Sequence, residues 1–140
     1  MNLERAIQIA VEAHAGAKDR GGKAYILHPI SVMMRCETYE EKIVAILHDV
    51  VEDTDWTFEA LRDEGFSETI IEALKTVTKH SEDEVYDEFI QRSLTNDIGR
   101  KVKIADLREN LDVTRIGELG KKDIVRINKY KRALKTLSYR

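Results

Sequence analysis

A single cysteine, Cys36, leaves this chain without an internal disulfide and without a CxxC-type zinc site. Its simplest role is that of a small, half-buried hydrophobe. Proline also occurs once, at Pro29, and glycine seven times in 140 residues, so little interrupts helix formation. No apolar run approaches membrane-spanning length, and Met1 to Arg5 show no secretory h-region. A cytoplasmic protein with no membrane partner is expected. Basic charge is not in surplus either: the net charge of −3 argues against a nucleic-acid binder.

What is present suits a folded domain. The apolar share of 42% and the charged share of 35% fit a soluble globular chain and exclude disorder. Its length is that of one domain, taken as residues 1–140. Charge is unevenly spread, however. Residues 121–140 carry eight Lys/Arg against one acid, Asp123, while acids crowd 52–64 and 82–88. Both stretches read as solvated helix faces. A basic last helix beside a metal pocket would also attract a polyphosphate.

Abundant Leu, Ile, Ala, Glu and Lys point to an all-α fold, and no segment reads as a strand. Leu3, Ala6, Ile7, Ala10, Val11 and His14 recur at helical spacing and predict a first helix over 3–15, stopped by Gly16. A loop of 16–28 follows. Pro29 suits the first position of a second helix reaching Cys36. Thr38 and Glu41 form a capping box that opens a third helix, running to about Thr54. Thr57, with Trp56 and Leu61 as a hydrophobic staple, and Ser67 start the next two, the latter ending near Val77. Further helices are predicted over 82–94, 97–112 and 122–137, the last burying Ile124, Ile127, Leu134 and Leu137.

The chemistry concentrates in His48-Asp49-Val50-Val51-Glu52-Asp53, which follows the apolar run Ile43 to Leu47. One imidazole and three carboxylates can project from one side of a buried helix. Burying them is costly unless something compensates, and a divalent cation is an effective compensation. His28 sits beside Pro29, and Asp106 interrupts the apolar stretch Val102-Lys103-Ile104-Ala105-Asp106-Leu107. His28, His48, Asp49 and Asp106 could meet as a mixed N/O ligand set suited to Mn, Fe, Co, Ni or Zn, with positions open for water and substrate. A purely structural ion-pair cluster is the alternative, and unpaired buried carboxylates make it expensive.

In order along the chain, Ala13-His14-Ala15-Gly16, Tyr25-Ile26-Leu27-His28-Pro29, Leu47-His48-Asp49-Val50-Val51-Glu52-Asp53-Thr54, Val77-Thr78-Lys79 and Val102 to Leu107 with Asn110 resemble the HD-domain phosphohydrolases. The similarity is greatest to the small single-domain Rel/Spo-type alarmone hydrolases of the stringent response. The resemblance implies a compact HD-type helical bundle, with Mn²⁺ on His28, His48, Asp49 and Asp106. It implies that Glu52 and Asp53 position or activate water, and that Lys18, Arg20 and Lys79 contact phosphates or base. Asn110 and Tyr25 join the substrate contacts, although Tyr25 could equally pack its loop onto the core. Arg126 and Tyr130 face either substrate or solvent. The chain departs from the family at Asp19-Arg20, where an Arg-Lys pair is common, and at Ala24, where proline is.

The implied activity is hydrolysis of the 3′-pyrophosphate of guanosine 3′,5′-bis(diphosphate), a small-molecule nucleotide, with no synthetase domain in 140 residues. Another phosphorylated nucleotide, such as NADPH or a deoxynucleotide, and a non-catalytic nucleotide sensor are the alternatives. His14 is expected in the core or capping a helix, and His80 in solvent. Oligomeric state is not readable from the sequence.

Overall fold

Side-chain caps divide the chain into helices joined by short loops. The computed structural model describes residues 2–114 and 116–138; Arg140, the last of the basic residues counted above, lies outside them. In order the helices are α1 (Leu3–Ala13), α2 (Leu27–Met34), α3 (Tyr39–Leu47), α4 (Val50–Asp53), α5 (Phe58–Asp63), α6 (Glu68–Thr76), α7 (Tyr86–Ser93), α8 (Asp97–Asn110) and α9 (Lys121–Ser138). Among the described residues the β structure is an isolated bridge between Lys18 and Ala24. The all-α expectation therefore holds.

The predicted caps are in place. Oγ1 of Thr38 and of Thr57, and Oγ of Ser67, accept the N–H three residues on, at 3.1, 3.0 and 3.3 Å. Glu41 closes its box one residue further back than usual, accepting the Glu37 N–H at 3.1 Å. These caps aim α3 into the core. Ile43, Val44, Ala45, Ile46 and Leu47 are fully buried, and α1, α2, α6 and α8 pack around them. Each large side chain buried this way stabilises the fold by about 1.5–3 kcal/mol. The helix that leads into the acidic motif is thus the best anchored. A smaller cluster, Ile90, Leu107, Ala133 and Leu137, ties α7 and α9 to α8. Where α8 passes α6, Gly99 has no room for a side chain: a methyl there would overlap Oγ1 of Thr76.

Three boundaries and the burial of one residue differ from the sequence reading. Helix α2 begins at Leu27, so His28 and Pro29 lie inside its first turn; first-turn residues donate no helical hydrogen bond, and proline costs nothing there. The third helix does not run to Thr54 but breaks at His48-Asp49. The His48 N–H reaches Ala45 O at 3.5 Å, and the ring Nδ1 donates to the same oxygen at 2.6 Å. That competition tightens the turn before α4 resumes. Helix α7 starts at Tyr86 rather than Glu82, because Glu84 folds back to accept the His80 N–H at 2.9 Å and to pair with Arg92. Along α9, Leu137 and Ala133 are buried, but Ile124 is 49% exposed. The first turns of α9 extend past the small cluster and flank a cleft instead.

Candidate metal centre and cleft

Three helices converge where α3 breaks. α2 contributes His28, the break contributes His48 and Asp49, and α8 contributes Asp106. Nε2 of His28 lies 2.9 Å from Oδ1 of Asp106. Nε2 of His48 lies 3.4 Å from that oxygen and 3.2 Å from Oδ2 of Asp49. Donor atoms of His28, His48 and Asp49 all fall within 4.8 Å of one another, a possible metal site; Asp106 is outside that group but touches both histidines. His48 arrives in one tautomer. Its Nδ1 proton is committed to Ala45 O, which aims Nε2 at the carboxylates.

The charges explain what this cluster does without a cation. Burial disfavours a charged His48, yet Asp49 and Asp106 outweigh it and push the imidazole up to about 10. Burial likewise opposes ionisation of Asp106, but Lys103 and the two histidines hold its carboxyl well below the usual range. Two nitrogens and two carboxylates, held and desolvated in this way, fit a divalent transition ion. Asp53 stands toward the open side of the site. Partial burial, then Asp49 and Glu52, push its carboxyl up to about 6. Glu52 is fixed through Oε1, which accepts the Lys79 N–H at 2.9 Å.

All of these groups line one cleft of about 580 Å³, together with Lys18, Arg20, Tyr25, Lys79, Asn110, Arg126 and Tyr130. Known proteins resemble the chain over about half its length. Over 81 residues, 55% of the chain, it is 37% identical to the guanosine-3′,5′-bis(diphosphate) 3′-pyrophosphohydrolase of Aquifex aeolicus. It is 34% identical over 82 residues to the bifunctional (p)ppGpp synthase/hydrolase SpoT of Escherichia coli. These matches span 12% and 11% of the relatives' own lengths. A solved structure of a metazoan SpoT ortholog that hydrolyses ppGpp superposes with a TM-score of 0.78, covering 96% of this chain and 84% of that one at 23% identity. The chain is thus similar in sequence to Rel/Spo-type hydrolases over about half its length, and it shares the fold of one solved structure. No protein-family model matches it.

On this Rel/Spo-type fold the remaining candidates divide by what they touch. Tyr25 donates its hydroxyl to Oδ2 of Asp49, so it holds a candidate ligand as well as facing the cleft. Asn110 leans on Asp106 at 3.4 Å. Arg126 is steadied by Asp123 at 2.7 Å. Lys18 and Arg20 are exposed on the loop closed by the Lys18–Ala24 bridge. His80 is in solvent, 70% exposed at its side chain, and Cys36 is buried as read. His14 is buried with its ring 5.0 Å from that of Tyr25, and its Nε2 has no hydrogen-bond partner among the described residues.

Sequence reasoning gave no role to Lys103, buried with its ammonium 2.9 Å from Oδ2 of Asp106. The signal was available: a lysine inside an apolar helical stretch, three residues before the candidate ligand. Lys129, Tyr86 and Phe89 also line the cleft unannounced. Tyr86 and Phe89 lie on a helix that reads only as amphipathic, and Lys129 is one of many cations on α9.

Proposed function

We propose that residues 1–140 form one HD-type hydrolase domain that removes the 3′-pyrophosphate of guanosine 3′,5′-bis(diphosphate), giving GDP and pyrophosphate in the cytoplasm. Its partner is this small nucleotide, not a nucleic acid or a membrane. One observation carries the reading: His28, His48, Asp49, Asp106 and the Glu52–Asp53 pair converge on a cleft also lined by Lys18, Arg20, Lys79 and Arg126. The names of the sequence relatives support the choice of substrate.

His28, His48, Asp49 and Asp106 would hold the cation, which we take to be Mn²⁺. Such an ion, when bound, polarises a phosphoryl oxygen and lowers the pKa of water. The protein's own groups do the rest. Glu52, with Oε1 tied to the loop after α6, uses its other oxygen to orient the attacking water. Asp53, with its carboxyl near 6, accepts a proton from that water close to neutral pH. The water oxygen bonds to the phosphorus carried by the ribose 3′ oxygen, the P–O3′ bond breaks, and the departing 3′ oxygen takes the proton that Asp53 accepted, giving GDP and pyrophosphate. Lys18, Arg20, Lys79 and Arg126 meet phosphate charge that one divalent ion cannot neutralise. Tyr25, Asn110 and Tyr130 line the remaining cleft, where the nucleoside lies.

The test is pyrophosphate release over a panel of guanosine tetraphosphate, NADPH and deoxynucleotides, with and without Mn²⁺. Mn²⁺-dependent release, fastest from the tetraphosphate, is expected. Faster turnover of NADPH or a deoxynucleotide would reassign the substrate, and binding without release would make the domain a sensor.

A further inference from the structure

Among the cleft cations for which the described residues give no ion pair, Lys129 is the one seated on aromatic rings. The ammonium of Lys129 lies 4.5 Å from the centroid of the Tyr86 ring and 5.6 Å from that of Tyr130. The charged groups that act on it most are of its own sign: Lys79, Lys103, Arg126 and Arg20. With burial, which acts first, they lower its pKa. Arg126 is partly neutralised by Asp123, whereas no carboxylate among the described residues bonds Lys129. A lysine on an open helix face would swing into water. This one is held over two rings, facing other cations, and the buried Tyr86 hydroxyl has no hydrogen-bond partner among the described residues. Like charges held together in this way are relieved by a polyvalent anion.

The aromatic contacts locate this cation relative to the centre. The Lys103 ammonium touches Asp106 and lies 4.8 Å from the Phe89 centroid. Phe89 meets Tyr86 edge-on at 6.4 Å, and Tyr86 carries Lys129. Lys129 and the lysine that touches Asp106 are therefore seated on different members of one aromatic pair.

We infer that Lys129, seated on Tyr86, binds a phosphate of the substrate other than the one under attack. The inference rests on the reading above, in which the nucleotide carries two diphosphates. The bound phosphate then belongs either to the 5′-diphosphate or to the far phosphate of the 3′-diphosphate.

The two products carry these groups separately, so binding of each by calorimetry to the Mn²⁺-loaded chain tests the inference apart from turnover. Lys129→Met should weaken either GDP or pyrophosphate by about tenfold, the loss of one charge-assisted contact. Lys129→Arg should stay close to wild type. Loss for GDP assigns the 5′-diphosphate, and loss for pyrophosphate assigns the far phosphate of the 3′-diphosphate. Unchanged affinity for both in Lys129→Met, or in Lys129→Gln should the methionine variant not fold, overturns the inference. So does wild-type protein that binds neither. A wild-type chain that binds GDP through Lys129 but hydrolyses nothing leaves this site standing and removes the hydrolase reading. An active wild type matched by Lys129→Met does the reverse.

Discussion

Oδ2 of Asp106 rests 2.9 Å from the Lys103 ammonium, while Oδ1 of the same carboxylate faces His28 at 2.9 Å and His48 at 3.4 Å. The two oxygens are divided between a fixed internal cation and the histidine pair. Lys103→Met removes the fixed partner and leaves a buried carboxylate with half its compensation. The metal-free variant should lose about 3 kcal/mol of stability, and Mn²⁺ should restore more of the melting temperature than it adds to wild type. Equal metal-induced shifts in both proteins would show that Lys103 does not serve Asp106.

Removing a candidate ligand is a different experiment from removing its support. His48→Ala and Asp106→Ala should each release the ion, since the remaining donors hold it weakly. Elemental analysis after gel filtration reads the occupancy. Full metal content in both variants would break the assignment of the centre.

Glu52 separates metal binding from chemistry. Its Oε1 bonds to a backbone N–H, a contact that glutamine reproduces through its own carbonyl oxygen. Glu52→Gln should therefore fold normally and keep its metal, yet lose turnover by about 10²-fold or more. A near-normal rate would take Glu52 out of the mechanism.

The pH dependence of stability has a definite sign. With its imidazole raised to about 10, folded His48 holds its proton more tightly than the unfolded chain does. That contribution is complete below the ordinary imidazole value of about 6.5 and is lost as pH rises toward about 10. Asp53, raised to about 6, acts in the same sense at lower pH, its contribution gone above that value. Metal-free protein should thus melt at progressively lower temperature from about pH 6.5 upward. A cation must displace the His48 proton, so the stabilisation it adds should grow over the same range. A metal-induced shift that is flat or falls with pH would contradict this account.

How much of this was legible in the sequence depended on whether the signal was local. Caps at Thr38, Thr57 and Ser67 act over three residues, and the apolar run Ile43 to Leu47 declares its own burial, so helix identity and the central anchor were readable. The His28–His48–Asp49–Asp106 cluster was readable because His48-Asp49 ends an apolar run, Asp106 interrupts another, His28 stands beside Pro29, and the family resemblance joins the four. Three features were not. The break at His48 depends on a side chain competing for the Ala45 carbonyl, the late start of α7 on Glu84 turning back to Arg92, and the exposure of Ile124 on where α9 leaves its partners. The last two are set by longer-range packing and the first by a local competition for one carbonyl, and periodicity distinguishes none of them.

Gly99 has a reach beyond its own position. Thr76 is held in place by donating Oγ1 to Ala73 O at 2.7 Å, so it does not yield freely to a methyl group at 99. Relief would come from α8 sliding or tilting as a rod, and Asp106 rides on that rod about 10 Å further along. The alignment of a candidate ligand is therefore gauged by a hydrogen atom two turns away, outside the cleft. Variants that lose the metal should turn up at position 99 as well as among the residues that touch it, and a mutational search confined to the pocket walls would overlook them.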